Sequence, residues 1–109
     1  MLPRKNRIVK KAEFEKIKKV GRRIPSASFS AVFLKGEGKD PKFGFVVSGK
    51  VAKKAVDRNR TKRVFSQSVR DLMGNFPEGV EVVFLLNKKA LLLREPEVKK
   101  EIERFSKKI

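Results

Sequence analysis

Apolar residues recur every three positions at Phe14, Ile17 and Val20, and Gly21 follows them. This spacing predicts a helix over residues 10–20, stopped by the glycine. Its other face carries Lys11, Glu15, Lys18 and Lys19, where Glu15 can pair with Lys18 or Lys19. Residues 26–35, SASFSAVFLK, alternate instead: Phe29, Ala31 and Phe33 fall on one side, Ser28, Ser30 and Val32 on the other. Period two predicts a strand with one firmly buried face. GEGKDP, residues 36–41, has loop composition, and KFGFVVS, residues 42–48, predicts a second strand in antiparallel hairpin with the first. VEVVFLL, residues 80–86, is almost wholly apolar, as a central strand buried on both faces would be. After Pro96, Val98, Ile102, Phe105 and Ile109 form the cleanest helical stripe in the chain.

Between the second and third strands lies a helix over residues 56–73, ended by Gly74, Asn75 and Pro77. Its apolar positions are Val56, Val64, Phe65, Val69, Leu72 and Met73, a stripe that thins toward the N-terminal half. The predicted order is α-β-β-α-β-α, with room for one extra short strand: an α+β sandwich with a small central sheet and flanking helices. At 109 residues the chain is one domain, residues 1–109, opening on a basic arm over residues 1–9. No internal repeat or low-complexity linker divides it.

Charge changes the picture at the middle helix. From Lys53 to Arg70 there are seven cations and one carboxylate, Asp57. Like charges at helical neighbour spacing repel by a few tenths of a kcal/mol per pair, so this concentration does not serve the helix itself. Lys54, Arg58 and Lys62 fall at i, i+4 and i+8, with Arg60, Arg63 and Arg70 on an adjoining strip. A stripe packed on the sheet below would leave these cations projecting outward together. The whole chain carries +17, from 29 basic and 12 acidic residues, far more than solubility requires, and such an excess points to a polyanionic partner. Guanidinium and ammonium groups in a row suit a phosphate backbone, and Asn59 adds a neutral donor and acceptor for a phosphate, a 2′-hydroxyl or a base edge. A merely solvated face would mix signs. A membrane-surface helix would need bulky apolar groups free to insert. The nine phenylalanines are the only aromatics. Most suit a core, while one or two beside Lys18 and Lys50 would make a single-strand cleft.

Several chemistries are excluded by composition. With no cysteine and no histidine, there are no disulfides, thiol nucleophiles, histidine bases or Cys/His metal sites. Carboxylates are scattered rather than grouped for metal-assisted hydrolysis, and GKVAKK lacks the spacing of a phosphate-binding loop. The N-terminus is basic without an apolar core segment, and no apolar run approaches the length of a membrane span. The expectation is a cytoplasmic RNA-binding module that is not a catalyst by itself, with no membrane and no obligate protein partner. A structural RNA-binding protein remains open from these residues alone. A DNA-binding regulator would want a helix-turn-helix pair, which the strand-helix-strand order does not offer.

Arg58-Asn59-Arg60 followed by Thr61-Lys62-Arg63 resembles the R-N-R-x-K-R signature of the bacterial ribonuclease P protein subunit. RIVKKAEFEKIKKVG near the start, FGFVVSGKVAKKAV before the signature and VEVVFLLNKKA after it are similar to that family's other motifs, in the same order and over nearly the whole chain. The resemblance implies an α-β sandwich whose parallel strand pair is joined through the basic helix by a left-handed crossover, opposite to the usual hand. It implies a subunit of ribonuclease P, which removes the 5′ leader of precursor tRNA. Catalysis would reside in the RNA subunit with Mg2+, and the partners would be that RNA and precursor tRNA.

Carried over by position, the resemblance assigns Arg58, Asn59, Arg60, Lys62 and Arg63 to the face toward the catalytic RNA, with Lys54 beside them. It assigns Phe14, Lys18, Val32, Ser48, Lys50 and Lys88 to the region that binds the leader, with Phe29 or Phe33 as the residue that could compensate for the valine at position 32. The chain departs from the family pattern at several points. Lys18 stands where an aromatic is common, Val32 stands at a second aromatic position, and Gly49-Lys50 replaces a double lysine. Ala52 replaces a glycine, and Ser66-Gln67 follows the signature.

Overall fold

The computed structural model describes residues 2–109. Helix α1 spans Lys11–Val20, strand β1 Arg22–Pro25, β2 Phe29–Lys35 and β3 Lys42–Val46. Helix α2 spans Ala55–Asp71, strand β4 Val80–Leu86 and helix α3 Glu95–Ser106, with short 3-10 turns at Arg4–Asn6, Met73–Asn75 and Lys88–Leu92. The α+β sandwich is as expected, and the extra short strand is β1, whose sequence RRIP is too short and polar to show a period.

The sheet order is β1-β2-β4-β3. β2 runs antiparallel to both β1 and β4, while β3 runs parallel to β4. The expected β2–β3 hairpin is therefore wrong: β4 lies between them. Its apolar run needs a neighbour on each edge as well as cover on each face, and insertion between β2 and β3 supplies both. The loop 36–41 closes on the approach to β4 instead, with the Gly36 amide donating to Gly79 O at 2.8 Å and the Gly79 amide to Lys39 O at 2.9 Å. Gly79 has φ of +71°, and a side chain there would meet the Gly38 carbonyl, so glycine is required twice over.

The two faces of the sheet differ in kind. On one, α2 and α3 cover Phe29, Ala31, Phe43, Val80, Val82, Phe84 and Leu86. Eight of the nine phenylalanines lie on this side, with Phe84 central: its ring centre is 5.1 Å from Phe29, 5.3 Å from Phe45 and 5.6 Å from Phe105. Each such burial contributes roughly 1.5–3 kcal/mol. On the other face α1 packs Ile17 against Val32 and Val83, with Ile8 beside them and Phe14, Leu34, Val46 and Leu85 at the margin. Both faces of β2 are thus covered, not one. Val20, expected in the α1 stripe, is exposed, and so is Val56 of α2.

Residues 2–9 are not a free arm. Arg7 pairs with Phe43 in a parallel bridge, the Ile8 amide donates to Phe43 O at 3.0 Å, and Asn6 Nδ2 donates to Pro41 O at 2.8 Å. Leu2, Asn6 and Ile8 are buried. The segment covers the outer edge of β3, which would otherwise present unpaired backbone groups. At the far side, the buried Glu101 of α3 accepts from Ser26 Oγ at 2.5 Å, from the Ser28 amide at 2.9 Å and from Ser28 Oγ at 2.6 Å. These bonds replace its hydration and tie α3 to the turn between β1 and β2.

Candidate RNA-binding surfaces

Helix α2 is anchored by Thr61, Phe65, Ser68 and Val69, all buried. Thr61 and Ser68 satisfy their hydroxyls on carbonyls one turn back, Asp57 O and Val64 O. At about 100° per residue, this anchor distributes the signature over a broad arc instead of one outward row. Arg58 and Lys62 lie half-buried on the flank toward β3. Asn59 and Arg63 stand exposed on the crest, and Arg60 lies on the opposite flank, about 200° from Arg58 around the helix axis. The two adjoining strips expected to project outward together are corrected accordingly: a sparse anchor leaves both flanks of the helix available, and the cations spread over them.

Arg58 also has a structural duty. Its Nη1 donates to Ala52 O at 2.7 Å and to Lys53 O at 2.8 Å, fastening the segment that leads into α2. The remaining guanidinium N–H groups stay available to an anion. Lys54 is the N-cap residue and makes no side-chain cap bond. Arg60 Nη2 is 3.7 Å from Asp57 Oδ1, an exposed pair of small worth that a phosphate could displace.

The second surface lies between α1 and β3. Among the described residues, Phe14 is the only phenylalanine outside the α2–α3 core. Its ring lies over Gly44, where a Cβ would come within 2.5 Å of it. Phe14 borders an open cleft of about 320 Å3 lined by Val9, Lys11, Lys18 and Val46. It also borders a smaller recess of about 170 Å3 at the β3 edge, lined by Arg7, Gly44, Phe45, Lys62 and Ser66 among others. An aromatic ring with lysines around it can stack a base and meet its phosphates. Lys18 is 3.8 Å from Glu15, again an exposed pair. Through the recess, the aromatic cleft and the Lys62 flank of α2 form one continuous surface.

Not every residue expected in the cleft reaches it. Val32 is 1% exposed beneath α1, so it forms the floor and offers no contact. Phe33 points to the other face, its ring centre 6.3 Å from Phe105. Strand alternation forbids Val32 and Phe33 from sharing a face, so Phe33 cannot stand in for a missing cleft aromatic. Ser48 and Lys50 are exposed on the loop after β3, where the Ser48 carbonyl accepts from the amides of Val51 and Ala52. Lys88 is exposed in the turn after β4, which Asn87 caps by accepting from the Lys89 amide. Because β3 and β4 are parallel, these three residues come to the same end of the sheet as the start of α2. Val9, Lys11, Val46 and Gly44 were not anticipated; the glycine inside an apolar strand was the available sign of a close approach.

Among the described residues, no group of three or more acidic side chains is placed to hold a metal ion. No helix there is long and apolar enough to cross a membrane.

Comparison with known proteins shows the family and the fold. The family model for ribonuclease P matches residues 2–109. A ribonuclease P protein component from a Synechococcus strain is 30% identical over 99% of this chain and 84% of its own length. Another, from Gluconacetobacter diazotrophicus, is 38% identical over 78% of this chain and 74% of its own. Among solved structures, the RNase P protein of Thermotoga maritima superposes with a TM-score of 0.85 at 26% identity, covering 94% of this chain and 96% of that one. That of Staphylococcus aureus has a TM-score of 0.82 at 22% identity and shows the same fold. By its matched length, its relatives and its architecture, the chain belongs to the ribonuclease P protein family, the protein subunits of an endoribonuclease that processes tRNA.

Proposed function

We propose that α2 binds the catalytic RNA of ribonuclease P and that the α1–β3 cleft binds the single-stranded 5′ leader of precursor tRNA. One observation carries this reading: Phe14 and Lys62 line the same recess, so a strand lying in the cleft runs directly onto the helix that faces the RNA. Phe14 stacks a leader base while Lys11 and Lys18 meet its phosphates. Lys50 and Lys88 extend the cationic path at the end of the parallel pair, with Ser48 beside them. Arg58, Asn59, Arg60, Lys62 and Arg63, with Lys54, hold the catalytic RNA. Val32 supports the cleft from beneath, and Phe33 serves the core.

The Mg2+ used in leader removal is assigned to the RNA subunit and substrate, as the family resemblance implies. The protein's own contribution is to position precursor against RNA and to favour substrates that carry a leader. The cytoplasm is the compartment that fits this work.

The test combines the protein with a bacterial ribonuclease P RNA and 5′-labelled precursor tRNA at low magnesium. Stimulated release of an intact leader is the expected result, lost when Arg60 and Arg63 are both changed to Met. Tight RNA binding without any stimulation would instead assign the chain to a purely structural role.

A further inference from the structure

The far flank of α2 carries a feature that neither surface explains. Arg60 and Val64 form one wall of a groove of about 350 Å3, and residues 91–95 form the other. Leu91 and Leu93 are packed partly into the core, but Leu92 between them is 81% exposed, the most exposed large apolar side chain among the described residues. Arg60 stands on one rim and Arg94 on the other. The acidic groups nearby are engaged: Asp57 lies 3.7 Å from Arg60, and Glu95 lies 3.1 Å from Lys99.

We infer that this groove receives one unpaired nucleotide of the catalytic RNA, its base against Leu92 and its flanking phosphates on Arg60 and Arg94. The inference rests on the proposed function and extends it to a site that uses an apolar contact. Three observations favour a nucleotide. The two rims are cationic, matching the phosphates that flank a splayed base. The apolar side chains of Val64, Leu91, Leu92 and Leu93, with a guanidinium on each wall, offer what an unstacked base needs, apolar contact and planar cations to stack on. The arc of the signature also leads there: RNA that touches Lys62, Asn59 and Arg63 in turn arrives next at Arg60. A second copy of the chain is disfavoured because each copy carries +17 and would bring like charges together.

The test measures affinity for a bacterial ribonuclease P RNA across a salt series, with chemical probing of the RNA in the complex. Leu92→Ala should weaken binding about tenfold, as loss of a largely buried leucine contact implies. It should leave the salt dependence unchanged, because no counterion is involved. One unpaired nucleotide should lose its protection. Arg94→Met should lower the salt slope by about one. Because Leu92 is exposed in the free protein, thermal unfolding of Leu92→Ala should match wild type. Wild-type affinity and an unchanged footprint in Leu92→Ala would overturn the groove assignment. If Arg63→Met on the crest still weakened binding, the proposed function would stand without it. Wild-type protein that binds no catalytic RNA overturns both. A wild-type dimer in sedimentation without RNA, dissociated by Leu92→Ala, would make the groove a contact between copies and overturn the proposal.

Discussion

Gly44 has no side chain, and the ring of Phe14 occupies the space one would take. Gly44→Ala would drive a methyl group to within 2.5 Å of that ring, so the ring must tilt out of its place over β3. Overpacking of this kind typically costs about 1–3 kcal/mol. The expected outcome is a protein that still folds and still binds the catalytic RNA, yet loses most of its preference for precursor over mature tRNA. Competition between the two tRNAs in the assembled enzyme measures this directly. The residue scale was also where motif matching was least informative. Arg58 matches the signature by position, but its bonds to Ala52 and Lys53 depend on how the incoming loop folds back. Val32 and Phe33 part company because adjacent strand residues face opposite layers, Val32 under α1 and Phe33 toward Phe105; the alternation in residues 26–35 separated their faces but marked only one of the two as buried.

At the scale of elements, α2 and α3 are clasped near their ends. Lys99 Nζ lies 2.7 Å from Asp71 Oδ2 and 3.1 Å from Glu95 Oε1, and Gln67 Nε2 donates to Asp71 at 3.1 Å. The Lys99 ammonium holds the Asp71 carboxyl below its ordinary value of 3.8, and its bonds to Asp71 and Glu95 raise Lys99 above 10.5. A lowered acid stabilises the fold above its unfolded value and loses that contribution as pH falls through the folded one. A raised base contributes below its unfolded value and loses that contribution as pH rises through the folded one. The clasp should therefore be intact across neutral pH and weaken at both extremes. In urea unfolding, the gap between wild type and Asp71→Asn should be open near pH 7 and close in strong acid; a gap constant into acid would contradict the clasp. Helices and the central strand were legible because each carries its own period or an unbroken apolar run. Pairing was not. GEGKDP looks like a hairpin turn in isolation, and only the demand of β4 for two neighbours, 45 residues on from Lys35 to Val80, separates β2 from β3.

For the whole molecule, a net charge of +17 has two consequences of opposite sign. The folded state gathers these cations and repels itself, so salt that screens them should raise its stability. The same salt removes the advantage of releasing counterions from RNA and should weaken binding steeply. Melting temperature and RNA affinity measured over one KCl series should move in opposite directions. Parallel movement would mean that charge does not govern one of them. The charge and the family motifs, both plain in the sequence, indicate an RNA partner. The arrangement of cations on two flanks of α2 required knowledge of which of its residues the sheet takes.

The strand pairing also constrains when the protein can form. β2 acquires its inner neighbour only when β4 exists, and Leu2 shares a core with Phe105. During synthesis β2 and β3 must wait for β4 before the sheet can close, although residues 6–8 already find partners at residues 41–43. For that interval the chain emerges as an unfolded polycation, with α2 already made and its sheet incomplete. It does so beside the ribosome, the densest collection of RNA in the cell. Prompt completion of the last helix is then what separates a processing subunit from an indiscriminate RNA adhesive, and truncations that remove α3 should be harmful out of proportion to their length.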